Sequence, residues 1–389
     1  MNRVFLKKLA GIVILVPLLG GCWNAREMEH MFYSHALGVD FVDGQFVVYA
    51  QILNFASLGK QGSKAGSSQT ESGSWVGMGA GTTFQSAVHK LYNGTHRRIY
   101  WGHTSALVLS QRVLEKNYRE IIDQVTRYNE FRYSIWIFGT QGDVKKVLQY
   151  SPISEISPVY SQLGDPTDVY DQSSMIRPLR LFQFIIGIRE HGRTAKLPLI
   201  ALNGSKWSDN NHEYSALAMQ GIGLFEGGKW QGALNKDNIL GLRWLEKETV
   251  RTPLVISKGG VHAASLILKN PKPDIKVYIV DGEPRFDIRI RTKGSVVEMV
   301  QPIEETEIRR SAEAKIRDEI VETYKKGLEL KSDLYQLMGV LYRNHPNIWR
   351  RKVIETPFLL TEASLRSVIV DVKIVNYGKM NDPFEFKKM

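Results

Sequence analysis

Residues 285–330 read RFDIRIRTKGSVVEMVQPIEETEIRRSAEAKIRDEIVETYKKGLEL, and the change of period inside this stretch decides the fold class. Phe286, Ile288 and Ile290 alternate with Arg285, Asp287, Arg289 and Arg291. A period of two places an apolar and a charged face on one strand, which suits a sheet with one side packed and one side wet. From about residue 304 the period becomes four. Ile308, Ala312, Ile316, Ile320, Tyr324 and Leu328 recur with charges between them, which predicts a long amphipathic helix ending near 330. Glu304, Glu305 and Glu307 lead it and Lys325 and Lys326 lie near its end, the arrangement that the helix dipole favours. Strands backed by a long helix make an α+β unit.

Working outward, residues 261–268, 275–280, 285–292 and 295–300 predict a meander of four strands, with turns at Asn270-Pro271 and Asp281-Gly282. Beyond the long helix, Ser332 is expected to cap a second helix through about 342, and 367–375 to form a closing strand that Gly378 ends. Toward the N-terminus, 216–225 and 229–234 flank Gly227-Gly228 as a hairpin, and Asn235 caps a helix to about 245. The apolar run 179–188, edged by Arg177, Arg180, Arg189 and Arg193, reads as a buried helix; a membrane- or partner-facing patch is the alternative. Residues 151–180, with Pro152, Pro158, Pro166 and Pro178, read as a linker region.

Further upstream, Asp43-Gly44 marks a hairpin within 35–55. Thr82 or Thr83 caps a helix over 84–93; a strand over 100–110, a helix over 113–127, a strand over 133–139 and a helix over 143–150 follow. Residues 58–81 are rich in Gly, Ser, Lys and Gln, with the lone aromatic Trp75, and read as a mobile loop. The expectation is an α+β chain of three mixed α/β domains with mostly antiparallel sheets flanked by helices, following a cleaved lipoprotein signal peptide. Its limits are 1–21 for the signal, 22–163 for the N-terminal domain, 164–256 for the middle domain and 257–389 for the C-terminal domain with the long helix.

The signal reading rests on the first 22 residues. Arg3, Lys7 and Lys8 precede an apolar stretch over 9–19. That stretch is too short for a stable transmembrane helix, which takes roughly 20 residues, but it suits the apolar region of an export signal. Leu19-Gly20-Gly21-Cys22 then has the form of a lipoprotein cleavage box, whose thiol takes the diacylglycerol. Cys22 is the only cysteine among 389 residues, so no intramolecular disulfide and no cysteine-based zinc or iron–sulfur site can form. Together with a second acyl chain the anchor is stable, where one chain alone is marginal. A hydrophobic fraction of 43% describes a folded chain. The formal charge of +11 becomes +8 once Arg3, Lys7 and Lys8 leave with the signal, an excess that fits an anionic lipid surface or wall polymer. Export argues against nucleic acid as a partner.

Catalytic patterns are missing. No His-Glu-x-x-His and no Gly-x-Ser-x-Gly occur among these residues. Ser57 and Lys60 fit a bare Ser-x-x-Lys in the expected loop, and Glu190-His191 reads as part of a surface charge cluster with Arg189 and Arg193. Gly77, Gly79 and Gly81 have Thr82 where a dinucleotide fingerprint needs its third glycine. No catalytic residue, metal ligand or cofactor is expected.

Cys22-Trp23, Ala36-Leu37-Gly38-Val39-Asp40, Gly81-Thr82-Thr83, Trp101-Gly102-His103, Arg127-Tyr128-Asn129-Glu130-Phe131-Arg132, Lys331-Ser332-Asp333, His345-Pro346-Asn347-Ile348-Trp349 and Asn376-Tyr377-Gly378 occur in that order. In this the chain resembles the C-subunit lipoproteins of spore-germination receptors, the GerAC or Ger(x)C family. The resemblance spans nearly the whole mature chain. It implies three mixed α/β domains and a non-enzymatic subunit of a nutrient receptor, lipidated at Cys22 and held on the outer surface of the spore inner membrane beside A- and B-type membrane subunits. Trp101, His103, Arg127, Arg132, Trp349, Arg350 and Arg351 are the exposed candidates for partner contact, with core packing or solubility as the competing account. A solute-binding lipoprotein of a transporter is the first alternative, although such chains usually show two similar lobes; a secreted cell-wall hydrolase is the second.

Overall fold

The computed structural model describes residues 31–53, 74–150, 152, 158–208, 213–355 and 360–377. Cys22, Ser57, Lys60, residues 58–73 of the expected loop and Gly378 lie outside the described residues.

Strands β1 (Met31–Val42) and β2 (Gln45–Leu53) form the expected hairpin. Asp43 and Gly44 both take positive φ, 51° and 75°, as the tight turn demands. The reading of 58–81 as a loop fails at its end, because Ser74–Gly81 is strand β3, paired antiparallel with β2. Its glycines are packing residues. A Cβ on Gly79 would lie 2.2 Å from the Ala87 carbonyl oxygen, so the strand and helix α1 (Phe84–Asn93) touch backbone to backbone. Thr83 caps α1 in a reciprocal pair: Ser86 N–H donates to Thr83 Oγ1 at 3.1 Å and Thr83 N–H to Ser86 Oγ at 3.0 Å.

The strand expected over 100–110 is two strands, β4 (Arg98–Tyr100) and β5 (Ala106–Ser110), separated by a 3-10 turn at Trp101–His103. The helix expected over 113–127 breaks at Asn117 into α2 (Gln111–Lys116) and α3 (Tyr118–Arg127). Then come β6 (Trp136–Thr140) and α4 (Val144–Gln149), the latter capped by Asp143. The expected linker carries a short helix α5 (Thr167–Gln172) and leads into α6 (Leu181–Arg189). Leu181 and Phe184 of α6 are buried, and Phe184 meets Phe225 edge-on at 5.2 Å. Phe182 and Ile186 stay exposed on the other side. One face is core, as the buried-helix reading expected.

Strands β7 (Thr194–Ser208), β8 (Glu213–Glu226) and β9 (Lys229–Asn235) join the same sheet through a parallel β6–β7 pairing. Its order is β3-β2-β1-β5-β6-β7-β8-β9, with β4 on β1. The centre is parallel and both ends are antiparallel hairpins, so the sheet is mixed and runs across residue 163.

After a 3-10 turn at Lys236–Ile239 and the single turn α7 (Leu242–Leu245), a second sheet begins. It holds β10 (Arg251–Lys258), β11 (Val261–Val280), β12 (Glu283–Met299) and β13 (Leu365–Asn376) in that order. The turn expected at Asn270-Pro271 is a bulge within one continuous strand: pairing skips between Lys269 and Lys272, and Asn270 has φ 46°. Helix α8 (Glu305–Glu329) covers the apolar face, burying Ile308, Ala312, Ile316, Ile320 and Tyr324. Each isoleucine so buried is worth roughly 1.5–3 kcal/mol. Helices α9 (Leu337–Asn344) and α10 (Pro346–Glu355) follow. Asp333, and not Ser332, ties down the start of α9, accepting from Met338 N–H at 2.6 Å. The alternating stretch 285–291 and the four-period helix beside it thus sit face to face, as their patterns required.

Candidate functional site

Two regions gather polar chemistry in the described structure. The first lies at the corner that follows β4. The 3-10 turn brings Trp101 N–H to Glu130 Oε2 at 2.9 Å, while Glu130 Oε1 pairs with Arg98 at 2.5 Å. The Trp101 indole donates to Tyr92 Oη at 2.8 Å and packs 5.5 Å from the Phe131 ring. Burial there pushes the Tyr92 hydroxyl up to about 12. A cavity of about 110 Å³ opens between α1 and α3, bounded by Phe84, Val88, Trp101, Arg127, Tyr128 and Phe131.

The second region ties β7 of the first sheet to the segments around α7 and to the connection between α8 and α9. Lys196 on β7 bonds Glu246 and donates to the Leu334 carbonyl at 3.2 Å; Arg177 reaches Glu248 at 2.9 Å. Burial pushes the Glu246 carboxyl up, but Lys196, Arg177 and Arg193 outweigh it and hold it below the usual carboxylate range. These groups line a cavity of about 280 Å³ with apolar walls from Ile176, Ile222 and Leu242. Beside it, Thr194 bonds Glu226 through its hydroxyl and accepts from Asp333 N–H at 2.9 Å, and Gln336 Nε2 donates to the Thr194 carbonyl at 2.7 Å. Burial pushes Asp333 up to about 7, with Glu226 adding to the rise and the Met338 and Leu337 N–H groups opposing it. Nearby, Arg243 grips both oxygens of Glu319 at 2.8 Å, and the Trp244 indole donates to Glu319 at 2.7 Å. The pair is buried and pins α7 to α8.

The expected exposed candidates divide. Trp101 and Trp349 are core residues, 2% and 8% exposed. Their aromatic faces fill the interior, since Trp349 sits edge-on to Tyr342 at 4.9 Å and to His191 at 6.0 Å. Their reading as surface contacts is corrected on that ground. His103 is exposed against Tyr33 and Tyr100, Arg127 is exposed and paired with Asp123 at 2.7 Å, and Arg132, Arg350 and Arg351 are exposed. Trp101 and Arg127 share one cavity; Trp349 belongs to the other core. Glu190 pairs with Arg193 at 2.5 Å, in keeping with a surface charge cluster.

Comparison with known proteins matches residues 24–202 to the family described as spore germination protein, N-terminal domain, and residues 220–378 to spore germination B3/GerAC like, C-terminal. The chain belongs to the GerAC-like spore germination family. It is 22% identical to spore germination protein KC of Bacillus subtilis strain 168, over 97% of both chains. It is 23% identical to spore germination protein B3 of the same strain, over 95% of this chain and 98% of that one. A crystal structure of the GerBC protein superposes with a TM-score of 0.54 at 16% identity, covering 87% of this chain and 97% of that chain, which places both in one fold.

Several family segments acquire structural roles here. Glu130, inside the Arg127–Arg132 segment, is the residue that holds the Trp101 turn, and Asp333 of Lys331-Ser332-Asp333 ties the connection between α8 and α9 to β7 through its N–H. A sequence reading weighted toward exposed arginine and tryptophan missed both. The available signal was an acid embedded in an otherwise basic or apolar run.

Proposed function

We propose that this chain is the lipid-anchored, non-enzymatic C-type subunit of a spore nutrient receptor. Cys22 carries the acyl anchor and holds the protein at the outer surface of the spore inner membrane, next to A- and B-type membrane-embedded subunits. The observation that carries this reading is the placement of a lipoprotein box at residues 19–22 directly before a family match that starts at residue 24. Among the described residues no helix is long and apolar enough to cross a membrane. Of the partner-contact candidates, His103, Arg127, Arg132, Arg350 and Arg351 keep that role, since their side chains reach solvent. The domain limits 22–163, 164–256 and 257–389 stand as a proposal about sequence units only, since the first sheet runs across the first limit and β10 across the second.

The test is Cys22→Ala in the spore-forming host. The expected result is a protein lost from the inner-membrane fraction and a weakened response to nutrient. Spores that respond normally, with the variant still membrane-bound, would overturn the anchor's role. Turnover of peptidoglycan fragments or esters by the purified chain would overturn the non-enzymatic reading.

A further inference from the structure

The outer face of the second sheet carries a line of like charge. Arg251 on β10 stands opposite Lys269 on β11, Lys269 opposite Lys293 on β12, and Lys293 opposite Lys373 on β13. All four are exposed, and none makes an ion pair with another described residue. Strand spacing spreads them over about 14 Å. The next row adds Lys272 opposite Arg291. Like charges set directly across strands oppose folding, so nothing in the sheet's own stability accounts for them. The acids of this face lie outside the row: Asp287 with Arg366, Asp371 with Arg289 at 3.7 Å, Asp274 opposite Arg289, and Glu298 beside Ser265 and His262.

The same face exposes Val255, Ile369 and Val375 beside the cations, while the opposite face is the one buried beneath α8. Basic side chains interspersed with exposed aliphatic ones on a flat surface suit a bilayer interface, where the headgroups are anionic and the acyl boundary is apolar. A wall polymer would supply the anions but give the aliphatic residues no partner. We infer that this face of the β10–β13 sheet docks on an anionic phospholipid surface. The inference rests on the proposed membrane location and adds the orientation: the C-terminal sheet lies flat on the bilayer and does not hang free from the N-terminal tether.

The experiment uses residues 23–389, which keep every described element and lack the lipidated cysteine, so its outcome is independent of the anchor. Co-sedimentation is measured with phosphatidylglycerol-containing and pure phosphatidylcholine vesicles at low salt. Binding is expected to the anionic vesicles only. Each lysine near the surface is worth about a factor of five, so the triple variant Lys269→Gln, Lys293→Gln, Lys373→Gln is expected to bind on the order of 100-fold more weakly. It should unfold at equal or higher urea, since a like-charge row is removed. A charge-matched control, Lys90→Gln, Lys116→Gln, Lys229→Gln, alters exposed lysines outside this sheet and should bind as the parent does. An equal loss in the control would reduce the effect to net charge and overturn the inference. Unchanged binding by the first triple, or capture by a soluble polyphosphate chain with no vesicle binding, would overturn it as well.

Discussion

Asp333→Asn separates two buried groups that titrate in opposite senses. Burial holds His35 on β1 down to about 4, against an ordinary value of 6.5. As pH falls, the unfolded chain takes that proton first, so the stability it contributes is full above 6.5 and is lost on the way down to 4. Asp333 behaves in reverse. Its folded value of about 7 stands above the ordinary 3.8, so its contribution is full below 3.8 and is lost as pH rises to 7. Each slope is about 1.4 kcal/mol per pH unit. Between pH 4 and 6.5 they cancel, and Glu226, also raised by burial, adds to the Asp333 side. The parent protein should therefore show a flat or slightly falling profile there. Asn at 333 keeps an acceptor for Met338 N–H but cannot ionise. The variant should then gain up to about 2 kcal/mol between pH 5 and 6.5, the His35 slope being opposed only by the contribution of Glu226. Asp40, Asp287 and Glu246, whose values are lowered, lose their contribution only as pH falls below the usual carboxylate range, which keeps them out of this window. Urea midpoints followed by circular dichroism across that range provide the assay. A variant whose profile runs parallel to the parent's would refute the reasoning.

Glu319→Ala should cost about 3–5 kcal/mol in urea unfolding, because it leaves Arg243 buried without its counter-charge and the Trp244 indole without an acceptor; a loss below about 1 kcal/mol would mean that the pair does not fasten α7 to α8. Gly79→Ala should destabilise by about 1–3 kcal/mol, since the added methyl meets the Ala87 carbonyl and forces α1 off β3; an unchanged midpoint would contradict that packing. Trp101→Ala should lower stability by about 3–5 kcal/mol, as a core truncation does, while Arg132→Ala should leave the urea midpoint within about 0.5 kcal/mol of the parent's. A Trp101 variant of normal stability would restore the surface reading.

Local periodicity carried most of the secondary structure. The Asp43-Gly44 hairpin, α1 and α8 follow from residue pattern and capping chemistry alone, because each is decided within a few turns or one strand pair. The misreadings share a cause. In β3 the glycines that look like loop composition are required by a helix packed onto them, a tertiary demand that short-range pattern does not express. Asn270-Pro271 has turn chemistry yet makes a bulge, because pairing with β12 continues on both sides of it. The joining of β7–β9 to the first sheet depends on the parallel β6–β7 contact between distant segments. The box at residues 19–22 is legible as a pattern because its residues are contiguous. Trp101 and Trp349 were misjudged because a tryptophan in a polar stretch gives no sign of which way its ring turns.

If the chain is a subunit of a membrane-bound receptor, as proposed, the most direct measurement is what accompanies it out of the spore inner membrane. Photo-cross-linkers at Arg132 and Arg350, followed by detergent extraction and mass spectrometry, should yield adducts with membrane-embedded subunits of the same receptor. Recovery of the chain alone, from membranes in which those subunits are present, would contradict the account.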